Sequence, residues 1–165
     1  MSYHIYTTPA VVLSHRPLRE ADRVYSVLTR DLGLIRATAI GVRKETSKLR
    51  HALEPLSFSS ISFVRGKEYW RITSAVFEKR VQRELAEPMA LLEKLVVGED
   101  AHPELFEEVE NEVLNYNRED EMAEVRLVSK ILFHLGYMEE GGLDLPKKDL
   151  IKSINRGIEV SGLAS

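Results

Sequence analysis

One stretch of this 165-residue sequence concentrates groups that grip phosphate. Gly41-Val42-Arg43-Lys44-Glu45-Thr46-Ser47-Lys48-Leu49-Arg50-His51 carries four fixed positive charges, on Arg43, Lys44, Lys48 and Arg50, and two hydroxyls. Cationic side chains release counterions from a nucleic-acid backbone, and hydroxyls bond phosphate oxygens. Gly41 lets the backbone approach a ligand closely. A second cluster, Lys67-Glu68-Tyr69-Trp70-Arg71, sets aromatics beside an arginine. With Trp70 in the core, alternation turns Tyr69, Arg71 and Thr73 to the other face. An aromatic next to an arginine stacks unpaired bases and holds their backbone. A basic loop also serves solubility, and Tyr69 also fits as barrel packing. A third stretch, Arg16-Pro17-Leu18-Arg19-Glu20-Ala21-Asp22-Arg23, is densely charged around a turn. Pairing of Glu20 and Asp22 with its arginines would order it, so Arg16, Arg19 and Arg23 are only secondary candidates for DNA contact.

Other chemistry is missing. The sequence has no G-x-x-x-x-G-K-[ST], G-x-G-x-x-G, G-x-S-x-G or H-E-x-x-H. The five histidines, His4, His15, His51, His102 and His134, have no ligand spacing and read as surface or structural residues. Glu107, Glu108, Glu110 and Glu112 look like paired carboxylates, but helical spacing spreads them round a solvated face. With no cysteine there is no disulfide, thiolate nucleophile or cysteine-ligated zinc. Nothing points to an enzyme, a cofactor or a small-molecule substrate. No apolar run approaches the roughly 18 residues of a membrane span. The opening Met-Ser-Tyr-His-Ile-Tyr lacks a basic region followed by an apolar one. The expectation is therefore a cytoplasmic protein without a membrane partner.

Charge divides along the chain. The net charge is −3. Residues 1–83 hold 15 basic and 7 acidic residues, a balance of +8, whereas residues 84–165 hold 8 and 19, a balance of −11. Such asymmetry suggests two functional surfaces. Exposed charge is screened over about 8 Å at physiological ionic strength, so a ligand on the first half would feel its local positive field.

The elements that must position these residues follow from periodicity. The first half reads as β. Ala10–Leu13 is a short apolar run, and 24–29 is rich in β-branched and aromatic residues. Residues 34–42 alternate, with Ile35, Ala37 and Ala39 on one face. In 57–64 the alternation puts Ile61 and Phe63 together, and in 69–77 it puts Trp70, Ile72, Ser74 and Val76 on one face. Asp31-Leu32-Gly33 and Arg65-Gly66-Lys67 mark turns. Leu49, Leu53 and Leu56 predict a short helix within 47–56. Five strands with a helix between the third and fourth is the element order of an OB-fold, with an SH3-like barrel as competitor. The second half reads as α. Pro88 opens a helix carrying Leu91, Leu92, Leu95 and Val96, and Gly98-Glu99-Asp100 breaks it. Pro103 opens one with Leu105, Phe106, Val109, Val113 and Leu114. A third spans about 119–135, and Pro146 opens a last helix that Gly157 ends. The predicted class is α+β: an OB-fold barrel over 1–83, then a small all-α domain over 84–165.

The ordered string Leu18-Arg19-Glu20-Ala21-Asp22-Arg23, Leu28-Thr29-Arg30-Asp31-Leu32-Gly33, Ile40-Gly41-Val42-Arg43-Lys44, Ser47-Lys48-Leu49 and Leu53-Glu54-Pro55-Leu56 resembles the N-terminal domain of the RecO family of bacterial recombination mediators. The likeness continues through Leu105-Phe106 and Leu132-Phe133-His134-Leu135-Gly136-Tyr137. It implies an OB-fold followed by helices. It also implies binding of single- and double-stranded DNA, annealing of complementary strands and partnership with RecR. Engagement of the acidic C-terminal tail of the single-strand-binding protein, so that RecA can load, is implied too. Carried over by position, the family's DNA-contacting loop matches Arg43, Lys44, Lys48 and Arg50. Many members have a four-cysteine zinc site after the Gly-Tyr step. Here Tyr137 runs through Met138-Glu139-Glu140-Gly141-Gly142-Leu143-Asp144-Leu145 to Pro146, which excludes such a site. Two other readings use the same barrel: an adaptor whose acidic half binds a basic protein, and an RNA-binding OB module.

Overall fold

The computed structural model describes residues 3–163. The alternating segments form five strands, β1 (Tyr6–Pro17), β2 (Arg23–Thr29), β3 (Gly33–Ala39), β4 (Ser57–Val64) and β5 (Trp70–Arg80). They close into a barrel in the order β1-β2-β3-β5-β4. Every pairing is antiparallel except β3 with β5. This is the expected five-stranded OB-fold, and four helices follow it in an α+β arrangement. Two compact units result. Met1–Val81 and Val97–His102 make the first, and Gln82–Val96 and Pro103–Ser165 the second.

Barrel closure explains where simple alternation fails. β1 is far longer than its apolar run because its first half pairs with β4 and its second with β2. Leu13 is the extra residue of a bulge between those roles. β5 carries two register shifts, at Thr73 and at Glu78. Each extra residue reverses which face the following side chains occupy. Trp70 and Ile72 therefore point into the core as expected, but Ser74 and Val76 do not, and Ala75 replaces them against it. The interior alternates large and small residues: Tyr25, Phe63 and Trp70 lie among Ala10, Ala37 and Ala39. Such alternation fills a narrow barrel.

Between β3 and β4 the expected helix is a single 3-10 turn at His51–Leu53. Leu53 is fully buried in the barrel core and Leu49 packs against it. Leu56 cannot extend the helix because it takes a positive φ of 67°.

The second unit contains α1 (Ala86–Leu95), α2 (Pro103–Leu114), α3 (Ala123–His134) and α4 (Lys147–Ser161). α3 packs against the other three. α4 does not end at Gly157. That glycine is buried inside the helix, where an added Cβ would lie 3.0 Å from the Tyr137 carbonyl oxygen. Gly162, at φ 80°, is the left-handed cap instead. The acidic face of α2 is also not wholly solvated. Glu112 is buried and accepts hydrogen bonds from Arg126 (2.8 and 3.0 Å) and Lys130 (2.9 Å). Arg126 reaches Asp120 and Lys130 reaches Glu108, each at 2.7 Å. Burial raises the Glu112 carboxyl pKa, but these bonds outweigh it, and the group lies below the usual range.

Candidate nucleic-acid interface

The basic loop is built by a turn and braced from two sides. Gly41 adopts φ 68°, a left-handed conformation that glycine takes without penalty. Lys44 N–H returns to the Gly41 carbonyl at 3.1 Å, and Ser47 N–H to that of Lys44 at 3.0 Å. Val42 is fully buried, so the loop is pinned to the core at its start. The charged turn 16–23 holds it from outside. The buried Asp22 carboxylate accepts the Gly41 N–H at 2.7 Å and pairs with Arg19 at 3.4 Å. Arg43 N–H donates to the Ala21 carbonyl at 3.0 Å, and its guanidinium to the Arg19 carbonyl at 3.4 Å.

The four cations of the loop therefore differ. Arg43, Lys44 and Lys48 are exposed. Arg50 is half-buried and turns back on the loop, donating to the carbonyls of Val42 and Arg43. Its geometry fixes the shape that presents the other three. The braced loop presents a concentration of positive charge with the exposed Thr46 among it.

The second predicted cluster splits. Arg71 stands exposed at the start of β5, opposite Thr38 of β3 and Val64 of β4. Thr38 lies three residues before Gly41, which brings Arg71 to the strand that feeds the basic loop. Tyr69 is half-buried, and its hydroxyl accepts a hydrogen bond from Arg16 at 3.0 Å. It ties β1 to the 65–69 loop. Sequence reasoning did not single out Arg36, which is exposed on β3 two residues from Thr38 and on the same face. The signal was present in the β3 alternation.

A further segment completes the barrel unit. Trp70 Nε1 donates to Glu99 Oε1 at 2.9 Å, and Arg65 bonds Glu99 Oε2 at 2.8 Å. The Arg65 guanidinium lies over the Trp70 ring, 4.4 Å from its centroid. Leu34 N–H donates to the Gly98 carbonyl at 3.0 Å. Gly33 has no room for a side chain, because a Cβ there would sit 2.5 Å from the Asp100 carbonyl oxygen. The Gly98-Glu99-Asp100 break thus supplies a polar partner for the core tryptophan.

Among the described residues no group of three or more His, Asp or Glu could hold a metal ion. His15 packs edge-on against Tyr25, and His51 tilts against Phe77. Burial lowers the His15 pKa, with Arg23 acting in the same direction. Nor is any described helix long and apolar enough to cross a membrane.

Residues 1–80 match the family model described as recombination protein O N terminal. That match spans all five strands of the barrel. The DNA repair protein RecO of Cutibacterium acnes is 29% identical over 159 residues, which cover 96% of this chain and 61% of that protein.

The barrel half of the chain is similar to the RecO family.

The RecO proteins of Dehalococcoides mccartyi and Heliobacterium modesticaldum are 46% identical over 72 residues and 42% over 71. Those alignments cover 44% and 43% of this chain and 28% and 26% of the relatives. The chain therefore aligns with less than two thirds of each of these curated RecO proteins. In this chain the segment after Tyr137 is a 3-10 turn at Glu140–Asp144 leading into α4, and without cysteine it does not suit a four-cysteine zinc site.

Proposed function

We propose that this chain is a non-enzymatic DNA-binding mediator of recombination and repair, with its barrel as the DNA-binding part. The observation that carries the reading is the braced basic loop, in a chain whose relatives are named DNA repair proteins. Arg43, Lys44 and Lys48 contact phosphate, Arg50 holds the loop, and Arg71 extends the cationic surface along β5. Tyr69 acts through Arg16 and not as a stacking platform. Contacts of this kind bind single- and double-stranded DNA alike, because both present phosphates. Neutralising phosphate repulsion between two strands while leaving bases free promotes annealing. RecR, the C-terminal tail of the single-strand-binding protein and assistance to RecA loading complete the family reading, with the cytoplasm as its compartment.

The test is fluorescence anisotropy of a labelled single-stranded oligonucleotide titrated at several salt concentrations. Reversing Arg43, Lys44 and Lys48 to glutamate should lower affinity about a hundredfold and flatten the log–log salt slope by about two. An unchanged slope overturns the site. An RNA competitor of the same sequence that displaces DNA at equal concentration removes the preference for DNA.

A further inference from the structure

We infer that a groove beside Arg71 receives one unpaired nucleotide of a single strand, the base against Tyr3 and Ile5 and a phosphate on Arg71. The inference rests on the nucleic-acid reading above and adds a preference that the basic loop alone would not give. The groove has a volume of about 390 Å³ and is lined by Tyr3, Ile5, Val64, Arg65, Arg71 and Thr73 among others. That is the size of a small-ligand cleft.

Three features select the occupant. First, Tyr3 is 71% exposed and Ile5 58% exposed, so an aromatic ring and an aliphatic side chain face solvent at the groove. A base stacks on such a surface whatever its identity. Second, the lining includes two arginines and no acidic residue. Arg65 is already held by Glu99 and the Trp70 ring. Arg71 makes no side-chain hydrogen bond or ion pair among the described residues, so its charge is available to a phosphate. Third, one wall is preformed. A Cβ on Gly66 would sit 2.2 Å from the Tyr69 carbonyl oxygen, so the 65–69 loop closes on itself only with glycine there. A preformed wall lowers the ordering cost of binding.

A base stacked within a duplex cannot enter a concave site without leaving the stack, so the groove favours unpaired strands. The aromatic partner of Arg71 is then Tyr3, brought from the far end of the chain, and not its sequence neighbour Tyr69.

The full chain is titrated with a labelled oligothymidylate and with a duplex of equal length. Tyr3→Ala should weaken single-strand binding about tenfold and shift duplex binding less than about twofold, while Tyr3→Phe keeps wild-type affinity. Arg71→Ala should weaken both, the single strand more. Reversal of Lys44 and Lys48 should weaken both. Irradiation of an oligonucleotide carrying 5-iododeoxyuridine should attach it to the peptide that contains Tyr3. Unchanged single-strand affinity in Tyr3→Ala, with cross-links confined to residues 41–50, overturns the groove and leaves the DNA reading standing. Absence of wild-type binding at low salt overturns both.

Discussion

In the barrel unit Lys44, Lys48 and Arg71 stand in solvent without an ion-pair partner among the described residues, whereas in the helical unit Arg126 and Lys130 are each held by two carboxylates. Both units are rich in charge, and the net balance of each half hides how it is used. The helical charges satisfy one another around the buried Glu112, so they serve the fold. The barrel uses carboxylates to shape backbone, as Asp22 does at Gly41, and leaves its loop cations outward. Pairing, not charge density, separates a structural cluster from one available to a ligand.

The sharpest way to break this contrast is to exchange the roles. Glu112→Ala leaves Arg126 and Lys130 with only their outer carboxylates. It should cost about 3 kcal/mol of stability and leave DNA affinity unchanged for the folded fraction. Urea unfolding and anisotropy on the same preparation check this, and a parallel loss of DNA binding would place the network in the interface. Asp22→Ala should cost about 2 kcal/mol, because it orphans the Gly41 N–H and frees Arg19. Unlike Glu112→Ala it should also weaken DNA binding several-fold, since the loop loses its outer brace. A smaller effect is expected with acid. The folded Glu112 pKa lies below its unfolded value, so the unfolded chain takes up the proton first. The stabilisation is present above the ordinary carboxylate range and lost as pH falls through the lowered folded value. Glu112→Gln should flatten that limb of a stability-versus-pH curve. The smallest effect belongs to Lys44→Ala with Lys48→Ala, which should move stability by less than about 0.5 kcal/mol while reducing DNA affinity. A large loss of stability there would mean these lysines are structural after all.

Much of the barrel was legible because one buried face imposes period two, as in β3, where Ile35, Ala37 and Ala39 are buried and Arg36 is exposed. The same rule misread Ser74 and Val76, since a bulge at Thr73 is a demand of barrel closure and leaves no mark in local composition. The basic loop was visible as a cluster of cations. That Arg50 braces the loop and Tyr69 is tied to Arg16 was not, because both depend on partners set by the turn and by strand register. Glu112 was misjudged for a similar reason: its partners lie on the next helix, 14 and 18 residues away. Gly157 read as a terminator because a helix-breaking residue and a close-packing residue are the same letter.

The clasp of Glu99 on Trp70 and Arg65 also bears on how the molecule is made. The fifth strand ends at Arg80, yet the indole N–H of Trp70 finds its partner at Glu99, 29 residues later in the chain and well beyond that strand. A ribosome that has released only the five strands has exposed a barrel with its tryptophan donor unmatched and Gly33 uncovered. The barrel reaches its finished state only after the first helix and the six residues beyond Val96 have emerged. The order of synthesis thus delays the last step of one unit until part of the other exists.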